Sequence, residues 1–375
     1  MREEGGATPH RVTARGCCLV PPGSRSSHLL LAYTARMVLN DDWLNLTPEE
    51  PIDTDIPVLD PHHHLWDRPG NRYMLEELVA DTTPHNVLQT VFIECTSMYR
   101  RRGPEELQCV GETEFVQGVA AMSANGGFGP ARANAGIVGT ADLRLGADVD
   151  AVLEAQIAAS PNRFRGIRHR AAWPMARQPA PGQPAQVEHL LLDADFREGF
   201  ARLRLYGLTF EAWLFHPDLP DVADLANAFP DTTIILNHLG GPILTGEYGS
   251  AHDVFTQWKH DINQVATCPN VVLKVGGIQM AVNGFGWHER ERPPSSDDLL
   301  SLNEQWYEHA IDKFGPKRCM FESNFPVDRV SCSYTVLWNQ FKKLARQFTP
   351  EERVAMFHDT AARVYRLPLA AELPD

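Results

Sequence analysis

The chain has 375 residues, 43% hydrophobic and 22% charged, a balance that supports a large folded core and excludes wholesale disorder. Its net charge of -14 argues against a nucleic-acid or anionic-membrane surface, so an acidic substrate would have to be met by local arginines. No run approaches the roughly 18 apolar residues of a membrane span, and the apolar stretch 28–33 is too short for a signal peptide.

Residues 1–36 hold five arginines and two glutamates, with Gly5-Gly6 and Pro21-Pro22-Gly23 punctuating a stretch without strand or helix period. This predicts a disordered extension, with the folded domain over 37–370 and a tail at 371–375. From about residue 56, eight short apolar runs follow at 58–66, 91–95, 136–141, 164–169, 208–215, 233–238, 271–275 and 319–325. Helix-period stretches at 148–159, 196–206, 222–229, 251–266, 299–314 and 334–346 lie between them. Such alternation implies parallel βαβ units, and eight of them over about 270 residues predict an α/β fold, a single-domain (β/α)8 TIM barrel. An open doubly wound sheet would need a glycine-rich phosphate loop after an early strand, and none is present. The polar segment 283–296 is too long for a minimal βα loop and is expected to form a lid. Seven cysteines (Cys17, Cys18, Cys95, Cys109, Cys268, Cys319 and Cys332) show no repeated spacing beyond one adjacent pair, which reads as reduced thiols in a cytoplasmic protein.

The densest chemical signal is Asp60-Pro61-His62-His63-His64-Leu65-Trp66 in the first run. Side chains two apart on a strand share a face, so His62 and His64 project together while His63 points away and is read as structural. Imidazole pairs at the C-terminal end of a barrel strand suit a metal or catalytic site. Arg168 ends a strand, where its planar fork suits a substrate carboxylate. Trp66, Tyr99, Trp173 and Trp287 are candidate pocket walls, although ordinary packing accounts for each equally well.

At these residues the sequence resembles the amidohydrolase-related barrel enzymes, in the branch holding sugar-lactone and dicarboxylate-lactone hydrolases. Phe164 to His169, Asn237 to Pro242, Val272 to Gly277 and Ser323 to Val327 agree with it, and the resemblance spans about residues 56–367. It implies metal-assisted opening of a lactone or related cyclic ester of a small polar or carboxylated molecule. His62 and His64 match the paired ligands of strand one, and His238 matches the histidine ending strand six. His216 is open between a further ligand and a loop histidine packed on proline. The metal set is thus His62, His64 and His216, holding a divalent cation, zinc by preference, weakly bound or even dispensable. Arg168, His169, Trp66 and Glu94 are the substrate-binding candidates, and His238, Asn324 and Asp328 the catalytic ones.

One departure matters: the strand-eight aspartate of the family is replaced by Asn324, and an amide cannot accept a proton at neutral pH. Proton transfer then falls to His238 or to a carboxylate such as Glu94, Glu211 or Asp328. Two alternatives stay open, a decarboxylase or hydratase on the same barrel and a binding protein that has lost catalysis. The expected partner is a small molecule, with neither nucleic acid nor membrane, and a homo-oligomer is left open.

Overall fold

A computed structural model describes residues 40–172, 187–244, 248–369 and 372. The predicted extension 1–36, Trp173 and most of the tail 371–375 lie outside these residues. Eight parallel strands form one sheet in sequential order: β1 (Val58–His63), β2 (Val87–Ile93), β3 (Arg132–Gly139), β4 (Phe164–Arg168), β5 (Thr209–Ala212), β6 (Ile234–Leu236), β7 (Val271–Gly276) and β8 (Cys319–Glu322). The sheet closes where His63 bridges Phe325 in parallel. His64 N–H donates to Phe325 O at 2.8 Å, and Asn324 N–H to His62 O at 2.9 Å. This is the predicted single-domain TIM barrel.

Each expected run overlaps one barrel strand, with shifted ends. The first run breaks at His63, and Trp66–Arg68 instead pairs with Asn71–Tyr73 as a small antiparallel hairpin. Pro61, inside β1, has no N–H to give, and the register with β2 slips between Asp60 and His63, as expected of proline in a strand. Asp60 covers the gap: its Oδ1 accepts from His62 N–H at 3.2 Å and Ser323 N–H at 3.1 Å, and its Oδ2 accepts from Tyr334 Oη at 3.1 Å. Burial pushes the Asp60 carboxyl up to about 6 against these donors.

Eight of the described helices surround the sheet: α1 (Leu75–Thr82), α2 (Val110–Ala124), α3 (Asp150–Ala159), α4 (Ala194–Leu203), α5 (Leu219–Ala228), α6 (Ala251–Ala266), α7 (Ser296–Phe314) and α8 (Tyr334–Leu344), and a short closing helix follows at Thr360–Tyr365. Ser250, Ser295 and Ser333 cap the last three by accepting the N–H of Asp253, Asp298 and Val336, which satisfies donors that a helix start leaves open. The sequence pattern missed α1 and α2. The buried side of α2 includes Glu112, Thr113 and Ser123 beside Val116 and Val119, so it carries no apolar stripe.

Inside the barrel the strands stack two layers, set by their two-residue period. Leu59, Val91, Val138, Ile235, Val272 and Met320 form an apolar layer, closed from below by Ala361, Ala362 and Tyr365. Two residues further along β7 and β8 come Lys274 and Glu322, both fully buried. The segment 283–296 is pinned rather than free: Asn283 Nδ2–H donates to Pro242 O at 2.8 Å, Trp43 Nε1–H to Arg290 O at 3.0 Å, and Thr47 Oγ1–H to Pro293 O at 2.9 Å. These ties fasten the segment, expected as a lid, to neighbouring parts of the chain. The five described cysteines are buried and free. No helix among the described residues is long and apolar enough to cross a membrane.

Candidate active site

His62 and His64 do face one another, with ring centroids 5.0 Å apart, and His62 also lies 4.6 Å from the ring of His238. His63 turns to the other side, where its Nε2 meets Thr90 Oγ1 at 2.9 Å and its ring packs on Phe92. The alternation of a strand therefore predicted the phase of all three imidazoles. Burial pulls His62 and His64 well below the ordinary histidine range, helped for His62 by Lys274 and for His64 by Arg168. Burial also lowers His238, against the pull of Glu322. These shifts favour the neutral imidazole, the form that can bind a metal.

Glu322 joins them from β8. Its Oε1 accepts from His238 Nδ1–H at 2.6 Å and from His238 N–H at 3.0 Å. Its Oε2 stands 2.8 Å from His62 Nδ1, without hydrogen-bond geometry and with no other partner. A buried, unpartnered carboxylate oxygen against an imidazole nitrogen is costly unless a cation or proton joins them. Donor atoms of His62, His238 and Glu322 all lie within 4.8 Å of one another, and the mixed nitrogen and oxygen set suits a zinc-like divalent ion. A second such trio, His189, Asp218 and Asp221, lies partly exposed away from the barrel interior. The residues present thus fit a metal, but not as the expected set. His64 and His216 stand outside the trio. His64 Nδ1–H donates to Ile93 O at 2.8 Å, and its Nε2 is 3.3 Å from Asn324 Oδ1. His216 accepts from Ile243 N–H at 3.3 Å and packs on Tyr248, and burial brings it down to about 4.

His238 reaches this position through a strained turn. Its φ is +54°, and the next strand end passes so close that a Cβ on Gly277 would fall 1.8 Å from His238 Nδ1. Gly277 itself has a φ of +65°, so any side chain there is excluded twice over.

Around the trio lie charged groups that the sequence reading only partly foresaw. Arg168 donates through Nε to Glu94 Oε1 at 2.8 Å and through Nη2 to Glu94 O, and its Nη1 is 3.3 Å from His62 Nε2. Arg170 grips the same carboxylate with Nε at 2.7 Å and Nη2 at 2.9 Å. Burial would raise Glu94, but Arg170 and Arg168 together hold it below the usual carboxylate range. Glu94, expected to touch substrate, is therefore committed to positioning two guanidiniums. Lys274 donates to Glu211 Oε2 at 2.8 Å and to His62 Nδ1 at 3.2 Å. Tyr365, from the closing helix, donates to Glu211 Oε1. Lys274 and Glu322 were both missed. The usable signal was a single charge inside Val-Val-Leu-Lys-Val and Cys-Met-Phe-Glu, because parallel barrel strands are buried on both faces and a charge there needs a partner.

Three other candidates take different places. His169 accepts from Leu143 N–H at 3.2 Å and packs on Phe196 in the helix layer, so the structure turns it away from the expected substrate position. Trp66 stacks on His64 with centroids 5.9 Å apart and donates to Asn71 Oδ1 at 2.9 Å. Asp328 accepts from Asn324 Nδ2–H at 2.9 Å and Gln279 N–H at 3.1 Å, and burial holds its carboxyl well above the usual range. Asn324 therefore stands between His64 and a carboxyl that resists ionisation.

That placement gives Asn324→Asp an expected result. Two carboxyls in contact cannot both ionise, so the variant should share one proton between residues 324 and 328. Acids whose folded values are raised destabilise the fold increasingly as pH rises above their unfolded values. A deficit of about 1–3 kcal/mol at pH 8 that shrinks toward pH 4 is expected. Urea unfolding of both proteins across that range checks it, and a pH-independent difference would show that the two side chains do not interact.

The sequence model of the amidohydrolase family matches residues 59–367. The uncharacterised protein y4mH of Sinorhizobium fredii is 31% identical over 336 residues, covering 84% of this chain and all of its own. The L-fucono-1,5-lactonase of Burkholderia multivorans is 27% identical, with 84% of this chain and 97% of the relative covered. A zinc-bound crystal structure of an amidohydrolase from Burkholderia multivorans superposes with a TM-score of 0.63 at 25% identity, covering 83% of this chain and 99% of that one. A match over most of the barrel, from β1 to the closing helix, shows that the chain belongs to the amidohydrolase family and is a hydrolase.

Proposed function

We propose that the protein hydrolyses a lactone of a small carboxylated or polyhydroxylated molecule, with a divalent cation, zinc, held by His62, His238 and Glu322. The observation that carries this reading is the unpartnered Oε2 of Glu322 beside His62 Nδ1. The lactonase relative and the zinc-bound neighbour support it. A bound cation would polarise the ester carbonyl and make water nucleophilic near neutral pH.

The chain's own groups supply the rest. Arg170 has 27% of its side chain exposed, whereas Arg168 and Glu94 are sealed at 4% and 1%, so Arg170 is the guanidinium that meets an incoming carboxylate. Glu94 sets its fork before substrate arrives, which lowers the cost of ordering it. Glu322 Oε2 takes a proton from the attacking water as the new bond to the carbonyl carbon forms. It returns that proton to the ring oxygen as the carbon–oxygen bond of the lactone breaks. The two N–H groups of His238 hold Glu322 in place throughout. Glu322, the last residue of β8, thus fills the role that Asn324, two residues past the strand end, cannot.

A panel of neutral sugar lactones and carboxylated lactones, read by acid release with an indicator, tests the proposal. Turnover is expected to favour carboxylated rings, with isotope from labelled water entering the product carboxylate. Absence of acid release from every lactone, with carbon dioxide evolved from a carboxylic acid instead, would replace this reading with a decarboxylase.

A further inference from the structure

Three cations and three carboxylates surround the His62 ring. The fixed cations are Arg168, Arg170 and Lys274, and the carboxylates are Glu94, Glu211 and Glu322. The arginines are spent on Glu94, so Lys274, paired with Glu211, is the remaining cation near Glu322. Its Nζ lies 2.8 Å from Glu211 Oε2 and 3.2 Å from His62 Nδ1, the ring nitrogen that also faces Glu322 Oε2 at 2.8 Å. The side chain is fully buried, and the ammonium sits 5.6 Å from the centre of the Tyr365 ring that closes the barrel beneath it.

We propose that Lys274 is a built-in counter-cation that stands in for a divalent ion beside His62 and Glu322, holding the polar layer together when no metal is bound and weakening metal binding. This rests on the reading of His62, His238 and Glu322 as the metal site. A divalent ion placed among those donors would bring two positive charges next to an ammonium, in an interior where salt screens little. The ion must then either work against Lys274 or push it aside, whereas a barrel without this lysine would need the ion to neutralise its carboxylates. The expectation is a fold that survives without metal and a site that exchanges its ion readily.

Lys274→Met removes the charge at similar length, and Lys274→Gln keeps a donor for Glu211, so a folding failure of the first leaves the test intact. Full-length wild type, both variants, Glu322→Gln and each Lys274 variant combined with Glu322→Gln would be stripped of metal. Each would then be titrated with zinc against a chromophoric chelator, and melted with and without zinc. Both Lys274 variants should bind zinc at least about tenfold more tightly than wild type. Metal-free, they should melt below wild type, and zinc should restore most of that gap. Glu322→Gln should abolish the gain. Zinc affinity in Lys274→Gln equal to that of wild type overturns the counter-cation, and leaves the metal site standing if Glu322→Gln weakens wild-type binding. Wild-type affinity indifferent to Glu322→Gln overturns the metal site and this inference with it.

Discussion

Glu322→Gln should lower kcat by about a hundredfold to ten thousandfold while leaving the fold intact, the range expected when a positioned proton acceptor is lost. The substitution is isosteric and keeps an oxygen to accept from His238 Nδ1–H and His238 N–H, both of which now meet Glu322 Oε1. What disappears is the charge on the second oxygen, which has no hydrogen-bond donor of its own. With zinc saturating both proteins to offset the lost ligand, an effect confined to the chemical step should leave KM within a few fold, because the proposed reading assigns substrate orientation to Arg170 and Glu94. Steady-state kinetics on the best lactone, with far-ultraviolet circular dichroism as the folding control, measures both. Retention of wild-type kcat within tenfold in a folded variant would remove Glu322 from the mechanism. Attention would then pass to His238 acting alone.

The glutamate proposed for this role is not marked by any sequence motif. Strand eight was located from Cys-Met-Phe and the Ser-Asn-Phe-Pro segment, and attention fell on Asn324 because the resemblance points to that position. Strand period would have placed Glu322 on the same face as Asn324, but period alone cannot say that the two separate at the strand end. Asn324 adopts a φ of +54° and turns to Asp328, whereas Glu322 stays inside the barrel. The histidines tell a similar story. His62 and His64 were readable because both sit on one short stretch whose geometry is fixed by alternation. His216 and His238 look alike in sequence, each just past a strand and before a turn. Their fates diverge through backbone turns: His216 spends its Nδ1 on Ile243 N–H, and His238 is carried by a left-handed residue conformation into contact with Glu322. The barrel itself was easier, since eight alternations of apolar run and helix period leave few other architectures.

Glu94→Gln should be the most destabilising single change near the site. It leaves Arg168 and Arg170 side by side, with side-chain exposures of 4% and 27%, and without the carboxylate that both now hold. Breaking a buried pair by removing one partner costs about 3–5 kcal/mol, and the lower end is expected because Arg170 reaches water. The loss should depend on pH in a defined direction. The Glu94 carboxyl is held below its ordinary value of 4.5 because Arg170 and Arg168 outweigh its burial. A carboxyl depressed in the folded state contributes stability that is present above its unfolded value and is lost as pH falls through its folded value. Wild type and Glu94→Gln should therefore differ most at neutral pH and converge below about pH 4, where the unfolded carboxylate begins to protonate. A second change separates charge from shape: Arg170→Met in the Glu94→Gln background removes one of the two uncompensated cations and should recover part of the loss, although Arg170→Met alone destabilises. Urea unfolding of all four proteins at pH 7 and pH 4 closes the double-mutant cycle. Simple additivity of the two changes at pH 7 would mean that Glu94 stabilises the barrel through its packing and backbone contacts, and that the guanidinium pair is held for substrate by something other than its shared carboxylate.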